Sequence, residues 1–194
     1  MGDIVIIYHG SCPDGFGGAW AAWKKFGDGA DYVPAKHDDV APDFRDKEIY
    51  FIDLIYNELV SSPNLLQLFI GRNKKVTIID HHITAQSAVE SAPNHVFDNN
   101  HSGAVLAWKY FHPEKPVPRL LLYIEDIDLW KFNLPMSKEV SSFLKLFNFE
   151  FDIWHKVADD LETEEGFADA IAEGKTIIAY EDKLINRAME NYAE

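Results

Sequence analysis

The run Ile4-Val5-Ile6-Ile7-Tyr8 most constrains how this chain folds. It is continuously apolar and largely β-branched, without the polar alternation of a strand that has one wet face. Such a strand needs cover on both sides, which in sequence marks a parallel sheet flanked by helices. Further strand-like segments follow at Asp31-Tyr32-Val33, Ile49-Tyr50-Phe51-Ile52 and Val76-Thr77-Ile78-Ile79, with Val96-Phe97 as an edge strand. Between them Ala19, Trp20, Trp23 and Phe26 recur at helical spacing, and Gly27 supplies a stop. Leu65, Leu66, Leu68 and Phe69 predict a second helix, and Gly103 to Tyr110 a third, entered through His101-Ser102. This alternation predicts an α/β fold with a mainly parallel sheet flanked by helices. Beyond Pro116 and Pro118 the pattern turns helical, and from about Ser137 only helices are expected. The last, from roughly Lys175 to Tyr192, is dense in charge and reads as a solvated surface element or a connector. The expected organisation is an α/β domain over residues 1–135 and a helical extension or connector over 136–194.

Composition narrows the function. The chain has 194 residues, of which 47% are hydrophobic, enough for one good-sized core. Its 32 acidic and 18 basic residues give a formal charge of −14, which repels polyphosphate chains and disfavours a broad grip on duplex DNA. A small anionic substrate would need local positive charge, and a metal site is one way to supply it. The single cysteine, Cys12, excludes an internal disulfide and multi-cysteine zinc patterns. It reads as a buried free thiol, with a soft metal ligand as the alternative. No stretch approaches the ~20 apolar residues of a membrane span, and the start lacks the basic residues of a secretory signal. A cytoplasmic protein without a membrane partner is expected; self-association is left open.

Three strands run into chemically similar residues. The first meets His9, with Asp14 shortly after; the next meets Asp53; another meets Asp80-His81-His82. Ligands of open α/β sheets bind beyond the carboxyl ends of the strands, so a parallel arrangement brings these groups to one rim. Converging carboxylates and imidazoles call for a cation, and oxygen and imidazole donors suit Mn²⁺, Mg²⁺ or Fe²⁺ better than zinc. A lone Asp at a strand end is commonly a cap, and a lone His pair a solvated loop. Their coincidence at three ends brings the metal reading level with those. Asp38-Asp39 and Asp159-Asp160 read as solvated charge.

Four segments then resemble, in order, the motifs of the DHH phosphoesterase superfamily. Ile78-Ile79-Asp80-His81-His82 is similar to its signature, Tyr8-His9-Gly10-Ser11-Cys12-Pro13-Asp14-Gly15-Phe16 to its first motif, and Phe51-Ile52-Asp53 to its second. Ile124-Glu125-Asp126-Ile127-Asp128-Leu129-Trp130 is similar to its fourth. The resemblance covers about residues 4–132. It implies a Mn²⁺-dependent phosphoesterase using one or two ions, with Mg²⁺ or another divalent metal as an alternative. By position, Asp53 would bridge two ions, His81 would ligate one, and Asp126 would complete that sphere, with Asp128 the competing choice. His9 would belong to the other ion. Asp80 would hold the histidine loop, and His82 would face the substrate phosphate. The first motif departs from the family pattern, because only Asp14 is present and Phe16 stands where a second carboxylate is usual. Asp14 could then serve the His9 ion or the His81 ion, and both readings stay open.

On the substrate side, Gly15, Gly17 and Gly18 open a helix and could offer backbone N–H groups to a phosphate. Close packing of helix on strand is the competing reading. No Lys-Ser or Lys-Thr follows, so this is not a Walker loop. Ser102 and Gly103 resemble a family segment lining the substrate, with Ser102 as a helix cap the alternative. The family's usual second, substrate-covering domain is not recognisable, and Phe143, Phe147, Phe149 and Trp154 read as core. The expected activity is therefore hydrolysis of a short single-stranded oligonucleotide, a nucleotide or a similar small phosphoester. The alternative is a catalytically weak nucleotide- or metal-binding module of the same fold.

Overall fold

The computed structural model describes residues 2–192. Five strands, β1 (Ile4–His9), β2 (Ala30–Ala35), β3 (Glu48–Ile52), β4 (Lys75–Asp80) and β5 (Asn94–Phe97), form one sheet in the order β2-β1-β3-β4-β5. Every pairing is parallel. The α/β expectation is met, and the continuous apolar runs have the cause inferred for them. Register aligns Val5, Ile49 and Val76 in one row across the sheet and Ile7, Phe51 and Ile78 in another.

Those two rows pack against α2 (Asn57–Ser61), α3 (Pro63–Gly71) and α4 (Gln86–Ser91) through Leu59, Leu66, Phe69 and Val89. Each fully buried side chain of this kind contributes roughly 1.5–3 kcal/mol of transfer free energy. On the opposite face lie α1 (Pro13–Phe26) and α5 (Gly103–Phe111). The rings of Trp20 and Trp108 stack at 5.5 Å, and Phe111 meets Tyr50 edge-on at 5.2 Å. Pro13 at the first position of α1 suits the fixed φ of a helix start, and Gly27 ends the helix with φ +52°.

By its internal contacts the chain divides after Val117, ahead of the boundary expected at 135. Helix α6 (Arg119–Asp128) packs with α7 (Ser137–Leu144) and α8 (Phe151–Glu162), which explains the earlier break. The final helix, α9 (Glu164–Tyr192), starts eleven residues before the expected Lys175. It packs on α7 with Gly174 so close to the Glu139 carbonyl that an added Cβ would lie 2.0 Å away. A glycine that weakens helix propensity is here the condition for close approach. In this second unit Trp154 is buried as expected, whereas Phe149 is exposed.

A Cβ on Gly18 in α1 would sit 2.3 Å from Ile52 Cγ2. Overpacking costs about 1–3 kcal/mol, against about 1 kcal/mol that alanine gains over glycine inside a helix. Gly18→Ala is therefore expected to lower the urea midpoint of unfolding. An unchanged or raised midpoint would contradict this packing.

Candidate metal centre

The strand order reverses direction at β1: the chain passes from β1 to β2 on one side and returns to place β3 on the other. The carboxyl ends of β1 and β3 therefore flank a crevice, the usual ligand position in such sheets. His9 is the last residue of β1, and Asp53 follows β3 directly. Asp80 ends the neighbouring β4, leading into His81 and His82.

Asp53 is buried and has φ +55°, the left-handed region. For a non-glycine residue that conformation costs of order 1–3 kcal/mol and persists only when its surroundings enforce it. They do so here. The Asp53 N–H donates to the Ile79 carbonyl at 2.9 Å, tying the turn to β4. On the carboxylate, His81 Nε2 lies 3.1 Å from Oδ1, His82 Nδ1 3.7 Å from Oδ1, and His9 Nδ1 3.5 Å from Oδ2. Burial alone would raise the pKa of Asp53. Hydrogen bonding from His81 and His9 and the charges of His82 and His81 outweigh it, leaving the group below the ordinary carboxylate range.

Asp80 organises the histidine pair. Its Oδ1 accepts from the His81 N–H at 2.7 Å, the His82 N–H at 2.9 Å and the His82 ring Nδ1–H at 2.7 Å. The second oxygen, Oδ2, is buried and has no hydrogen-bond partner. The ring bond to Asp80 raises the His82 pKa; burial opposes this in part, and the charges of Asp80 and Asp53 support it.

Asp14 is buried at the other edge of the cluster. Its carboxylate accepts from the first two N–H groups of α5, Gly103 at 2.7 Å and Ala104 at 3.0 Å, so it neutralises that helix end. Asp14 Oδ2 also lies 3.7 Å from His81 Nε2. Of the two readings of Asp14, this places it beside His81. The group around His9 is completed instead by Cys12 and Asp53. Cys12 is a free thiol as expected, but only half-buried, which corrects its reading as buried. Burial, then the charge of Asp53, pushes its thiol up to about 12, so it holds its proton unless a cation displaces it.

Two glycines make the cluster possible. A Cβ on Gly103 would lie 2.5 Å from Asp53 Cβ and 3.0 Å from Asp14 Oδ2. One on Gly15 would lie 2.2 Å from the His9 carbonyl oxygen. Gly15, Gly17 and Gly18 are buried inside α1, and at Gly15 and Gly18 the structure shows the packing reading. Ser102 is buried, and its Oγ accepts from the Val105 N–H at 3.4 Å, the geometry of a cap.

Asp126 and Asp128 belong to the second unit. Asp126 is buried and accepts from the Asn133 N–H at 2.8 Å, the Leu134 N–H at 3.2 Å and the Ser137 hydroxyl. It thereby pins a turn in which Trp130, Phe132 and Met136 all have positive φ. Sequence reading assigned Asp126 to a cation and missed this local role. Asp128, at the end of α6, is exposed.

One residue of the rim went unread. His37, two residues beyond β2, brings its ring to 5.1 Å from His9 and 5.7 Å from His82. Its signal was available in principle, since β2 parallel to β1 must end on the same rim.

Within the first unit, donor atoms converge in two groups of three, His9–Cys12–Asp53 and Asp53–His81–His82, each within 4.8 Å, with Asp53 common to both. These carboxylate and imidazole donors suit a divalent cation.

No family model matches the sequence. The chain is similar to uncharacterized protein R106 of Acanthamoeba polyphaga mimivirus, with 31% identity over 172 residues. That match covers 80% of this chain but only 40% of the viral protein, so the chain spans well under half of that relative's length. Among solved structures it is similar to an uncharacterized protein from Helicobacter pylori G27, with a TM-score of 0.63 at 15% identity. This likeness covers 91% of the present chain and 62% of the other, and it concerns the fold alone. Among the described residues no helix is long and apolar enough to cross a membrane.

Asp80 and His82 make a titration test. With its folded pKa raised, His82 stabilises the fold fully below the free-imidazole value of about 6.5. That contribution fades as pH rises through the raised folded value. In metal-free protein, NMR titration is expected to place the His82 ring above the ordinary histidine range, and Asp80→Asn to bring it down. An ordinary value in the wild type would contradict the pairing.

Proposed function

We propose that this chain is a divalent-metal-dependent phosphohydrolase acting on a small phosphoester, a nucleotide or a short single-stranded oligonucleotide. The observation that carries the reading is the sharing of buried, left-handed Asp53 between two donor groups at the sheet's switch point. The ordered motifs around His9, Asp53 and Asp80-His81-His82, which resemble those of DHH phosphoesterases, support it.

His9, Cys12, Asp53 and His81 are the residues that would hold a cation, with His82 beside them kept for the substrate, and Mn²⁺ is the ion proposed. A bound divalent cation supplies acidified water and neutralises charge on phosphoryl oxygens. The chain contributes position and protons. Asp53 fixes the spacing of the donor groups by standing in both. Asp80 orients His82 through Nδ1–H, which leaves Nε2 to meet the phosphate, and the raised pKa favours the form that donates from it. The acidic surface opposes long polyanions, so small substrates fit best.

A specific observation favours the second reading, a weakly catalytic binding module. Both oxygens of Asp14, the one carboxylate left in the first motif, already serve the start of α5.

The two readings separate in an assay with Mn²⁺ on dinucleotides, cyclic dinucleotides, mononucleotides, pyrophosphate and an aryl phosphodiester. Turnover of at least one is expected, and none despite bound metal would overturn the hydrolase. Asp53→Ala is expected to abolish turnover and Mn²⁺ affinity together. His82→Ala should keep the metal and slow turnover by about 100-fold, the scale of one proton-handling side chain. Parallel loss of metal would contradict that role.

A further inference from the structure

Four imidazoles gather at the carboxyl rim of the sheet, and three of them engage carboxylates. His9 and His81 engage Asp53, and His82 engages Asp80. His37 differs: its Nδ1 lies 3.2 Å from the Ile55 carbonyl, and among the described residues no carboxylate reaches its ring. A carbonyl only accepts, so Nδ1 carries the hydrogen and Nε2 is the ring atom left for a ligand.

The side chain is placed by its neighbours. The Asn57 N–H donates to the His37 carbonyl at 2.8 Å, and Asn57 Nδ2 donates to Asp38 Oδ1 at 2.6 Å. These bonds tie the loop after β2 to the start of α2, so the ring is held beside His9 and His82 with its own Nδ1 bonded to a carbonyl. Among the described residues, its donor atoms are outside every group that converges closely enough to share a cation. It therefore stands beside the cation donors, its ring 5.1 Å from that of His9 and 5.7 Å from that of His82.

We propose that His37 is a substrate-contacting residue whose Nε2 hydrogen-bonds to the phosphate group. The proposal rests on the phosphoester reading of the same site and adds a second imidazole to its phosphate subsite, in edge-on contact with the Asp80-held His82. It also gives a purpose to the loop bonds, since a residue that meets a ligand is best held before the ligand arrives.

The test uses the whole chain with Mg²⁺ and inorganic phosphate as the probe, followed through the histidine ring signals in long-range proton–nitrogen spectra. The His37 Nε2 signal is expected to shift saturably with phosphate, and His37→Ala to weaken phosphate binding five- to tenfold. Mn²⁺ affinity, read from free-ion electron paramagnetic resonance, should stay within twofold of the wild type. Unchanged phosphate affinity in the variant, or no phosphate binding by the wild type, would overturn the proposal. So would parallel loss of Mn²⁺, which would make His37 a metal ligand. Phosphate binding through His37 with no turnover of any phosphoester would leave this contact standing and remove the hydrolase reading.

Discussion

Everything at the rim depends on one strained carboxylate. Asp53 leaves β3 in the left-handed region, is withdrawn from water and is surrounded by three imidazoles. A buried carboxylate is expensive unless its charge is matched, and here protonated imidazoles or a cation must match it. In metal-free protein hydrogen bonds from His81 and His9, with the charges of His82 and His81, hold the Asp53 pKa down. With a cation bound, the ring nitrogens of His81 and His9 would turn from donors to ligands, and the same positions would serve both states. The Ile79 carbonyl fixes where Asp53 turns, so β4 sets both the histidine loop and the acid it faces.

Glycine placement lets this cluster close. At Gly103 a Cβ would strike Asp53 and crowd Asp14, so the start of α5 can approach the site only because nothing projects from it. Asp14 then accepts two N–H groups of that helix, joining α5 to the first turn of α1. Gly15 lets α1 begin against the His9 backbone. The sheet rim is thus built by backbones packed closer than side chains would permit. The surplus of acid elsewhere is carried largely by exposed side chains, where it disfavours long polyanions.

Much of the fold was legible because parallel strands are written in sequence as unbroken apolar runs, and Ile4–Tyr8 and Ile49–Ile52 are such runs. The site was legible where chemistry sat at strand ends, as at His9, Asp53 and Asp80-His81-His82. What escaped reading depends on contacts distant along the chain. The Asp14 bonds to residues 103 and 104 have no local signature. Asp126 pins its own turn through Asn133, Leu134 and Ser137, although a carboxylate in that motif looks like a ligand. Helix α9 begins early because Gly174 serves the packing on α7, a reason invisible to propensity. His37 was hidden by an edge strand containing Pro34, whose register with β1 appears only once the sheet is assembled.

The central claim is that Asp53 is the shared anchor of a divalent cation site. Crystals of the wild-type chain grown with Mn²⁺ and measured across the manganese absorption edge test it most directly. The account predicts anomalous density within coordination distance of the Asp53 carboxylate, with His81 or His9 turned toward the ion. Clear density for an intact His9–Asp53–His81 cluster with no anomalous signal beside it, at saturating Mn²⁺, would contradict the account.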